Sequence, residues 1–157
     1  MTTTDTEIIC ILDRSGSMAD LASAAITGLN LFIQEQRELE GNCCFTLVQF
    51  NQESEVVIAR KPLSEVTLLG NKHFIPSGYT ALLDAIGQTL QTAEGLLADI
   101  PAENHPARVI VHIITDGQEN CSKSFSHAEI RQMIARLEAT EKWTFSFSGA
   151  NMDSFKA

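Results

Sequence analysis

Hydrophobic residues along this chain follow two patterns, continuous apolar runs and apolar positions spaced three and four residues apart. Continuous runs are typical of strands buried in a parallel sheet, and they predict strands over residues 7–12, 43–50, 108–115 and 143–147. The spacing of three and four residues indicates helices with one apolar face, and it predicts helices over about 18–39 and 80–98. Ser126 and Glu129 form a capping-box pattern, which predicts a further helix ending near residue 140.

Two connections between these elements are distinctive. A short strand predicted over 55–60 follows the strand over 43–50 too closely for a helical crossover, so the two should form an antiparallel hairpin. Two prolines and two glycines interrupt residues 61–79, which are predicted to form a long loop with a short helical turn at 64–69. The alternation of strands and helices predicts an α/β fold of the doubly wound, Rossmann-like type. In this fold a mostly parallel central sheet, with one antiparallel edge strand, carries helices on both faces.

Composition and charge narrow the classes of function. The chain has 157 residues, of which 44% are hydrophobic, and this is enough for one globular domain over 1–157. Its formal net charge of −9 and its lack of a Lys/Arg cluster argue against nucleic acid and anionic membranes as partners. The chain shows no basic, apolar leader and no apolar run of membrane length, and its four cysteines fit no metal-finger spacing. We therefore expect free thiols, mostly buried in strands, in a protein of the reducing cytoplasm.

The first strand runs directly into an oxygen-rich turn, Asp13-Arg14-Ser15-Gly16-Ser17. This exposed β-to-α turn places one carboxylate and two hydroxyls close together, and such oxygens are the ligands that a hard cation such as Mg²⁺ prefers. Gly16 should let the turn bend tightly without a Cβ clash. The alternative is an ordinary Ser/Gly-rich turn in which Asp13 caps the following helix.

Two later stretches supply further oxygen ligands at the ends of predicted elements. Thr80 opens a predicted helix after Pro-Ser-Gly-Tyr, and Asp116 follows the apolar strand over 108–115. In doubly wound sheets the ligand site lies beyond the carboxyl ends of the strands, where the strand order reverses. We therefore expect Thr80 and Asp116 to meet the Asp13 turn at that edge of the sheet.

These three stretches resemble the metal-ion-dependent adhesion site of von Willebrand factor A (VWA) domains. The matching segments are DRSGSM at 13–18, SGYTAL at 77–82 and ITDG at 114–117, and the resemblance extends over essentially the whole chain. It implies that Ser15, Ser17 and Thr80 bind Mg²⁺, or Mn²⁺, directly. It further implies that Asp13 and Asp116 act through water or from behind the direct ligands. The chain is similar to the bacterial, cytosolic type, whose members often work beside ATPases or stress-response proteins.

Two features depart from this family pattern. Many members have a small residue before the threonine, where this chain has Tyr79. Many members also continue after the fifth strand with a sixth strand and a closing helix, for which this sequence has only the beginning. The single VWA domain predicted over 1–157 is therefore either truncated at its C-terminus or a minimal version of the fold.

The chemistry of these ligands predicts a binding function. Neutral hydroxyl ligands leave a cation most of its positive charge, and an open coordination position then favours an incoming carboxylate. The sequence therefore predicts a non-enzymatic protein-binding module that captures an Asp or Glu side chain of a partner protein. Specificity is expected from the residues that flank the metal, namely Arg14, Tyr79, Gln118, Glu119 and Asn120.

Two other classes of function are alternatives, a metal-dependent hydrolase and a purely structural A domain with an unoccupied site. A serine hydrolase would need a base beside Ser15 or Ser17 and a Gly-x-Ser-x-Gly turn, and the sequence lacks this turn. His112 lies four residues before Asp116 and is predicted to be a core histidine, while His105 should fall at the opposite end of the sheet. The complete set of ligand positions argues against a purely structural module.

Overall fold

The computed structural model describes residues 5–38, 42–70, 76–115 and 121–148, and the side chains of Ser17 and Ala22 lie outside this description. Within these residues the strands are β1 (Thr6–Asp13), β2 (Cys43–Phe50), β3 (Ser54–Pro62), β4 (Arg108–Ile114) and β5 (Trp143–Ser148). The α-helices are α1 (Ala22–Arg37), α2 (Leu82–Asp99) and α3 (His127–Glu138). Short 3₁₀ helices cover Gly16–Leu21, Leu63–Glu65 and Ala102–Asn104.

β1 lies at the centre of the sheet, in which the five described strands have the order β3-β2-β1-β4-β5. It pairs in parallel with both β2 and β4, and β4 pairs in parallel with β5. β2 and β3 form the antiparallel hairpin that the sequence predicts. Because the chain moves from β1 towards one edge and then returns to β4 on the other side, the strand order reverses between β1 and β4. The predicted doubly wound fold, mostly parallel with one antiparallel edge strand, is confirmed.

Alternate residues of β1 enter two hydrophobic cores, one on each face of the sheet. Ile9 and Ile11 pack with α2 and α3, whereas Ile8, Cys10 and Leu12 pack with α1. Every residue of β1 is buried, which explains why its sequence is a continuous apolar run. Burial of each large aliphatic side chain contributes about 2 kcal/mol. The buried sheet therefore holds the ends of the loops at its carboxyl edge in fixed positions.

The first helix begins later than its apolar pattern predicts. Met18 lies in the first 3₁₀ helix, where its N–H donates to Ser15 O at 3.0 Å, and α1 begins only at Ala22. The tighter 3₁₀ turn still directs the Met18 side chain into the core beneath α1. The third helix begins as predicted, because Ser126 and Glu129 form a complete capping box.

The edge strand β3 is longer than predicted and irregular. Its register against β2 shifts on both sides of Leu47, and Arg60 has a φ of 44°. The Arg60 guanidinium forms a two-pronged ion pair with the buried carboxylate of Glu7, at N–O distances of 2.8 and 3.0 Å. The hydrogen bond to Glu7 is the main reason that the pKa of Arg60 is raised. The irregular edge thus supplies the charge partner of an acidic residue on the central strand.

All four cysteines are free thiols, as predicted, but only Cys10 is fully buried. Burial raises the pKa of Cys10 well above its ordinary value, and partial burial is the main cause that raises the pKa of Cys43 to about 11. Partial burial also raises the pKa of Cys44. These three thiols are therefore protonated near neutral pH and poorly reactive. No helix in the described part of the chain combines the length and the apolar composition needed to cross a bilayer.

Candidate metal centre

Asp13 ends β1 at the point where the strand order reverses. The Ser15 N–H donates to Asp13 Oδ1 at 2.8 Å, and the Thr115 hydroxyl donates to Oδ2 at 2.7 Å. Both carboxylate oxygens are therefore oriented by hydrogen bonds. Asp13 forms a local turn with Ser15 and does not cap α1, whose N-cap residue is Leu21.

Thr80 lies next to this turn because backbone hydrogen bonds join the two segments. The Ser77 N–H donates to Arg14 O at 2.8 Å, and the Gly16 N–H donates to Gly78 O at 2.9 Å. These two bonds run in opposite directions between residues 14–16 and residues 77–78. The first and second stretches predicted from the sequence are therefore brought together.

The predicted ligands of these two segments whose side chains are described are buried, which corrects the expectation of an exposed turn. Asp13 and Ser15 are 0% exposed, and Thr80 is 2% exposed. The two loops cover one another, so positions that belong to loops in the sequence lie inside the molecule. Ser17 belongs to the 3₁₀ helix Gly16–Leu21, and its side chain lies outside the description.

Four predicted site residues lie outside the described part of the chain, and these are Asp116, Gln118, Glu119 and Asn120. The residues on either side of 116–120 are described, and both contact the other two stretches. Thr115 donates to Asp13, and the Cys121 N–H donates to Thr80 O at 3.2 Å. Thr115 and Cys121 therefore lie beside Asp13 and Thr80, while the predicted roles of residues 116–120 stay predictions.

Asp84, in the first turn of α2, anchors the segment that leads into α3. Its carboxylate accepts hydrogen bonds from three consecutive backbone N–H groups, those of Lys123, Ser124 and Phe125, at 2.8 to 3.0 Å. Its own N–H donates to Ser122 Oγ at 2.9 Å. An acidic residue in the first turn of a helix is a recognisable signal, but it does not reveal partners 38 to 41 residues away. Sequence reasoning therefore missed this residue.

Two of the residues predicted to flank the metal are described, Arg14 and Tyr79. Tyr79 is 69% exposed and directly precedes Thr80. Arg14 is partly enclosed, since its N–H donates to Phe50 O at 2.7 Å and its Nε is buried without a hydrogen-bond partner among the described residues. Tyr79 is thus the more accessible of the two.

The residues that these backbone contacts bring close together carry oxygen groups that suit a hard divalent cation. Asp13 supplies a carboxylate and Ser15 and Thr80 supply hydroxyls, and an all-oxygen set suits Mg²⁺ or Mn²⁺. The described residues contain no group of three or more His, Cys, Asp or Glu side chains placed to hold a metal. Serine and threonine hydroxyls are not among these side-chain types, so a cation site built mainly from hydroxyls would not form such a group.

A family model of the von Willebrand factor type A domain matches residues 8–118 of the chain. The chain belongs to the von Willebrand factor type A domain family. The matched region contains all three stretches, those of Asp13, Thr80 and Asp116. Proteins of this family commonly mediate protein interactions. A comparison of the chain with curated proteins finds no match.

Solved structures share the fold of this A domain. The manganese-loaded TRAP protein of Plasmodium vivax superposes with a TM-score of 0.66 at 18% identity, over 99% of this chain and 63% of that protein. The conserved hypothetical protein BatB of Bacteroides thetaiotaomicron superposes with a TM-score of 0.54 at 16% identity, over 92% of this chain and 66% of BatB. An aerotolerance-related membrane protein of Bacteroides fragilis gives 0.53 at 15% identity, over 92% and 67%. The A domain thus spans 63 to 67% of the length of these proteins.

Two of the histidines, His112 and His105, make contacts that are structural. His112 Nδ1 lies 2.7 Å from Ser146 Oγ, and its ring stacks on Phe32 with centroids 4.7 Å apart. Burial lowers the pKa of His112. His105 Nε2 lies 2.7 Å from Ile100 O, in the loop that precedes β4 at the end of the sheet opposite to the site. These contacts favour the packing role predicted for His112.

Proposed function

We propose that this A domain is a non-enzymatic protein-binding module that captures an acidic side chain of a partner protein through Mg²⁺ or Mn²⁺. The ligands proposed for the cation are Asp13, Ser15, Ser17, Thr80 and Asp116. The observation that carries the proposal is the meeting of the Asp13 turn with the Thr80 segment where the strand order reverses. A doubly wound sheet binds its ligands at this point.

The charge of the ligands decides what such a site attracts. Serine and threonine hydroxyls are neutral, so a cation held by them supplies positive charge to an incoming carboxylate. Asp13 accepts hydrogen bonds from a backbone N–H and a hydroxyl, and these hold the turn in one shape. TRAP of Plasmodium vivax, which shares the fold, is manganese-loaded in its crystal structure, and this supports the choice of a divalent cation.

The acidity of the chain makes the cation a requirement for this kind of partner. A net charge of −9 repels an acidic protein at long range, so capture of a carboxylate should depend on metal rather than on general attraction. The partner is proposed to be a protein with an accessible Asp or Glu, with ATPases and stress-response complexes as the classes that the family resemblance suggests. The free thiols support a reducing compartment such as the cytoplasm.

The proposed function is tested by selecting displayed peptides on the immobilised domain in Mg²⁺ and, in parallel, in EDTA. We expect the peptides enriched only in Mg²⁺ to share an Asp or Glu, and we expect binding to vanish when that residue is changed to Asn or Gln. The Asp13→Asn variant, carried through the same selection, is the matched control and should enrich no such peptides. Enrichment that is equal in EDTA, or peptides without a common acidic residue, would contradict the proposal.

A further inference from the structure

The segment 77–81, which carries Thr80, has no regular secondary structure, yet its backbone is hydrogen-bonded to three other loops. Two of these loops are the Asp13 turn and the segment that begins at Cys121, as described above. The third is the turn between β2 and β3, and it contributes Asn51 and Gln52. No sequence motif singles out either residue.

Asn51 is buried and holds both ends of the segment. Its Nδ2 donates to Ser77 O at 3.0 Å, and its backbone O accepts from the Ala81 N–H at 2.8 Å. Its side-chain Oδ1 accepts from the Glu53 N–H at 3.0 Å, which closes the turn on itself. Asn51 therefore connects the shape of the β2–β3 turn to the position of residues on both sides of Thr80.

Gln52 holds the middle of the same segment. Its Oε1 accepts from the Tyr79 N–H at 3.1 Å. Gly78 has a φ of +84°, a conformation that residues with a Cβ rarely adopt, and an added Cβ would also displace the Gln52 side chain. At Gly16, by contrast, the nearest atom to an added Cβ would be 3.5 Å away. The glycine that the site requires is therefore Gly78, whereas the sequence pointed to Gly16.

We propose that Asn51 and Gln52 are positioning residues that hold Thr80 in its binding geometry before a cation enters. This inference rests on the proposed cation site, and it gives the β2–β3 turn a role in metal affinity as well as in stability. A segment that is already ordered loses less conformational entropy on binding than a free loop does. Removal of these contacts should therefore weaken metal binding, although neither residue is a proposed ligand.

Gln52 is exposed and allows a test with little risk of unfolding. Gln52→Met keeps the length and the neutral charge of the side chain but removes the acceptor for the Tyr79 N–H, and Gln52→Glu restores an acceptor. The dissociation constant for Mn²⁺ is measured by electron paramagnetic resonance in about 0.5 M salt, where the added charge of the glutamate is screened. We expect Gln52→Met to weaken Mn²⁺ binding about fivefold, the size of one net hydrogen bond. Gln52→Glu should stay within about twofold of the parent because the hydrogen bond is retained.

Asn51→Ala should weaken Mn²⁺ binding more than Gln52→Met does, and Asn30 provides a matched control for it. Asn30 makes the same kinds of side-chain hydrogen bonds to another loop, since its Nδ2 donates to Leu69 O and its Oδ1 accepts from the Leu69 N–H, both at 2.8 Å. We expect Asn51→Ala and Asn30→Ala to lower the melting temperature similarly. Only Asn51→Ala should weaken Mn²⁺ binding, by about tenfold, because it removes both side-chain hydrogen bonds of Asn51, to Ser77 O and from the Glu53 N–H, while the backbone bond to Ala81 remains. Hydrogen exchange of the metal-free proteins should show faster exchange of the Tyr79 amide in Asn51→Ala and in Gln52→Met.

The outcomes separate the positioning role from the cation site itself. A parent protein that binds no Mn²⁺ would overturn the proposed function and this inference with it. A parent that binds Mn²⁺, together with Asn51 and Gln52 variants of equal affinity, would overturn the positioning role alone. Unchanged exchange of the Tyr79 amide, or an Asn30→Ala variant that weakens Mn²⁺ as much as Asn51→Ala does, would also overturn it.

Discussion

Two acidic residues of β1, Glu7 and Asp13, are both buried but are held by different partners. Glu7, near the amino end of the strand, forms the two-pronged ion pair with Arg60. Asp13, at the carboxyl end, accepts hydrogen bonds from the Ser15 N–H and the Thr115 hydroxyl. The guanidinium neutralises one carboxylate, whereas the donors described at the other are neutral groups that orient it.

This difference distinguishes a carboxylate that serves the fold from one that suits a binding site. A buried carboxylate is costly unless an opposite charge or several hydrogen bonds compensate it. Arg60 compensates Glu7 within the protein. At Asp13 a backbone N–H and a hydroxyl orient the two carboxylate oxygens. One strand therefore has a closed ion pair at one end and a candidate metal site at the other.

Asp13→Asn should produce the largest change. The amide keeps the shape of the side chain but removes the negative charge, and we expect the affinity for Mn²⁺ to fall by about 100-fold or more. The EDTA-treated protein is titrated with Mn²⁺, and binding is measured from the electron paramagnetic resonance signal of free Mn²⁺ and from the rise in melting temperature. Glu7→Gln is the control at the other end of β1, and it should leave Mn²⁺ affinity unchanged. Equal Mn²⁺ affinity in Asp13→Asn and the parent would remove Asp13 from the site.

Arg60→Met should affect the fold and leave metal binding unchanged. It leaves Glu7 buried without its charge partner, a change that costs several kcal/mol in a fully buried pair. The Arg60 side chain is 37% exposed, so solvent screening reduces the expected loss of unfolding free energy to about 2 kcal/mol. Urea unfolding measures this loss. Adding Glu7→Gln to Arg60→Met should recover part of it, and a double variant less stable than Arg60→Met would contradict the assigned role of the pair.

The parts of the molecule that could be predicted from sequence are those that local patterns encode. The buried run of β1, the short β2–β3 connection and the capping box at Ser126 each follow from neighbouring residues, and each is confirmed. The predicted start of α1 was wrong, because apolar spacing does not distinguish a 3₁₀ turn from the α-helix that follows it.

The residues that position the loops of the candidate site could not be predicted, because their contacts are not local in the sequence. Asp13, Ser15 and Thr80 belong to short motifs, so the sequence marks them. Asn51 and Asp84 act on segments 26 to 41 residues away, and their role depends on which loops the sheet brings together. A single sequence carries no signal for such loop-to-loop contacts.

Asp84→Ala should produce an intermediate effect on both properties. It removes the acceptor of three backbone N–H groups, so we expect about 2 kcal/mol less unfolding free energy and about tenfold weaker Mn²⁺ binding. Glu94→Ala, on the same helix, is the matched control. It breaks only the solvent-exposed ion pair with Arg136, which contributes about 0.5 kcal/mol. Similar effects of the two variants would show that Asp84 is an ordinary surface carboxylate.

Thr115→Val tests the hydroxyl that orients Asp13. Loss of this single donor should weaken Mn²⁺ binding about fivefold and reduce the unfolding free energy by about 1 kcal/mol. Thr115→Ser keeps the hydroxyl and should restore the Mn²⁺ affinity, although it removes a methyl group. If valine and serine weaken binding equally, packing of the methyl group rather than the hydrogen bond to Asp13 is what matters.

The smallest expected effect is a pH dependence of the unfolding free energy that comes from His112 rather than from Glu7 or Asp13. Burial lowers the pKa of His112 in the folded protein, whereas the unfolded chain has a histidine pKa of about 6.5. The unfolded state therefore binds the proton more readily, so His112 should cost no stability above pH 7 and should lower the unfolding free energy progressively as the pH falls towards 5. His112→Gln should flatten the unfolding free energy across this range, and parallel curves for parent and variant would show that His112 contributes nothing. Because the contribution of His112 to the unfolding free energy disappears above pH 7, the stabilities of the Asp13→Asn and Glu7→Gln variants are best compared there.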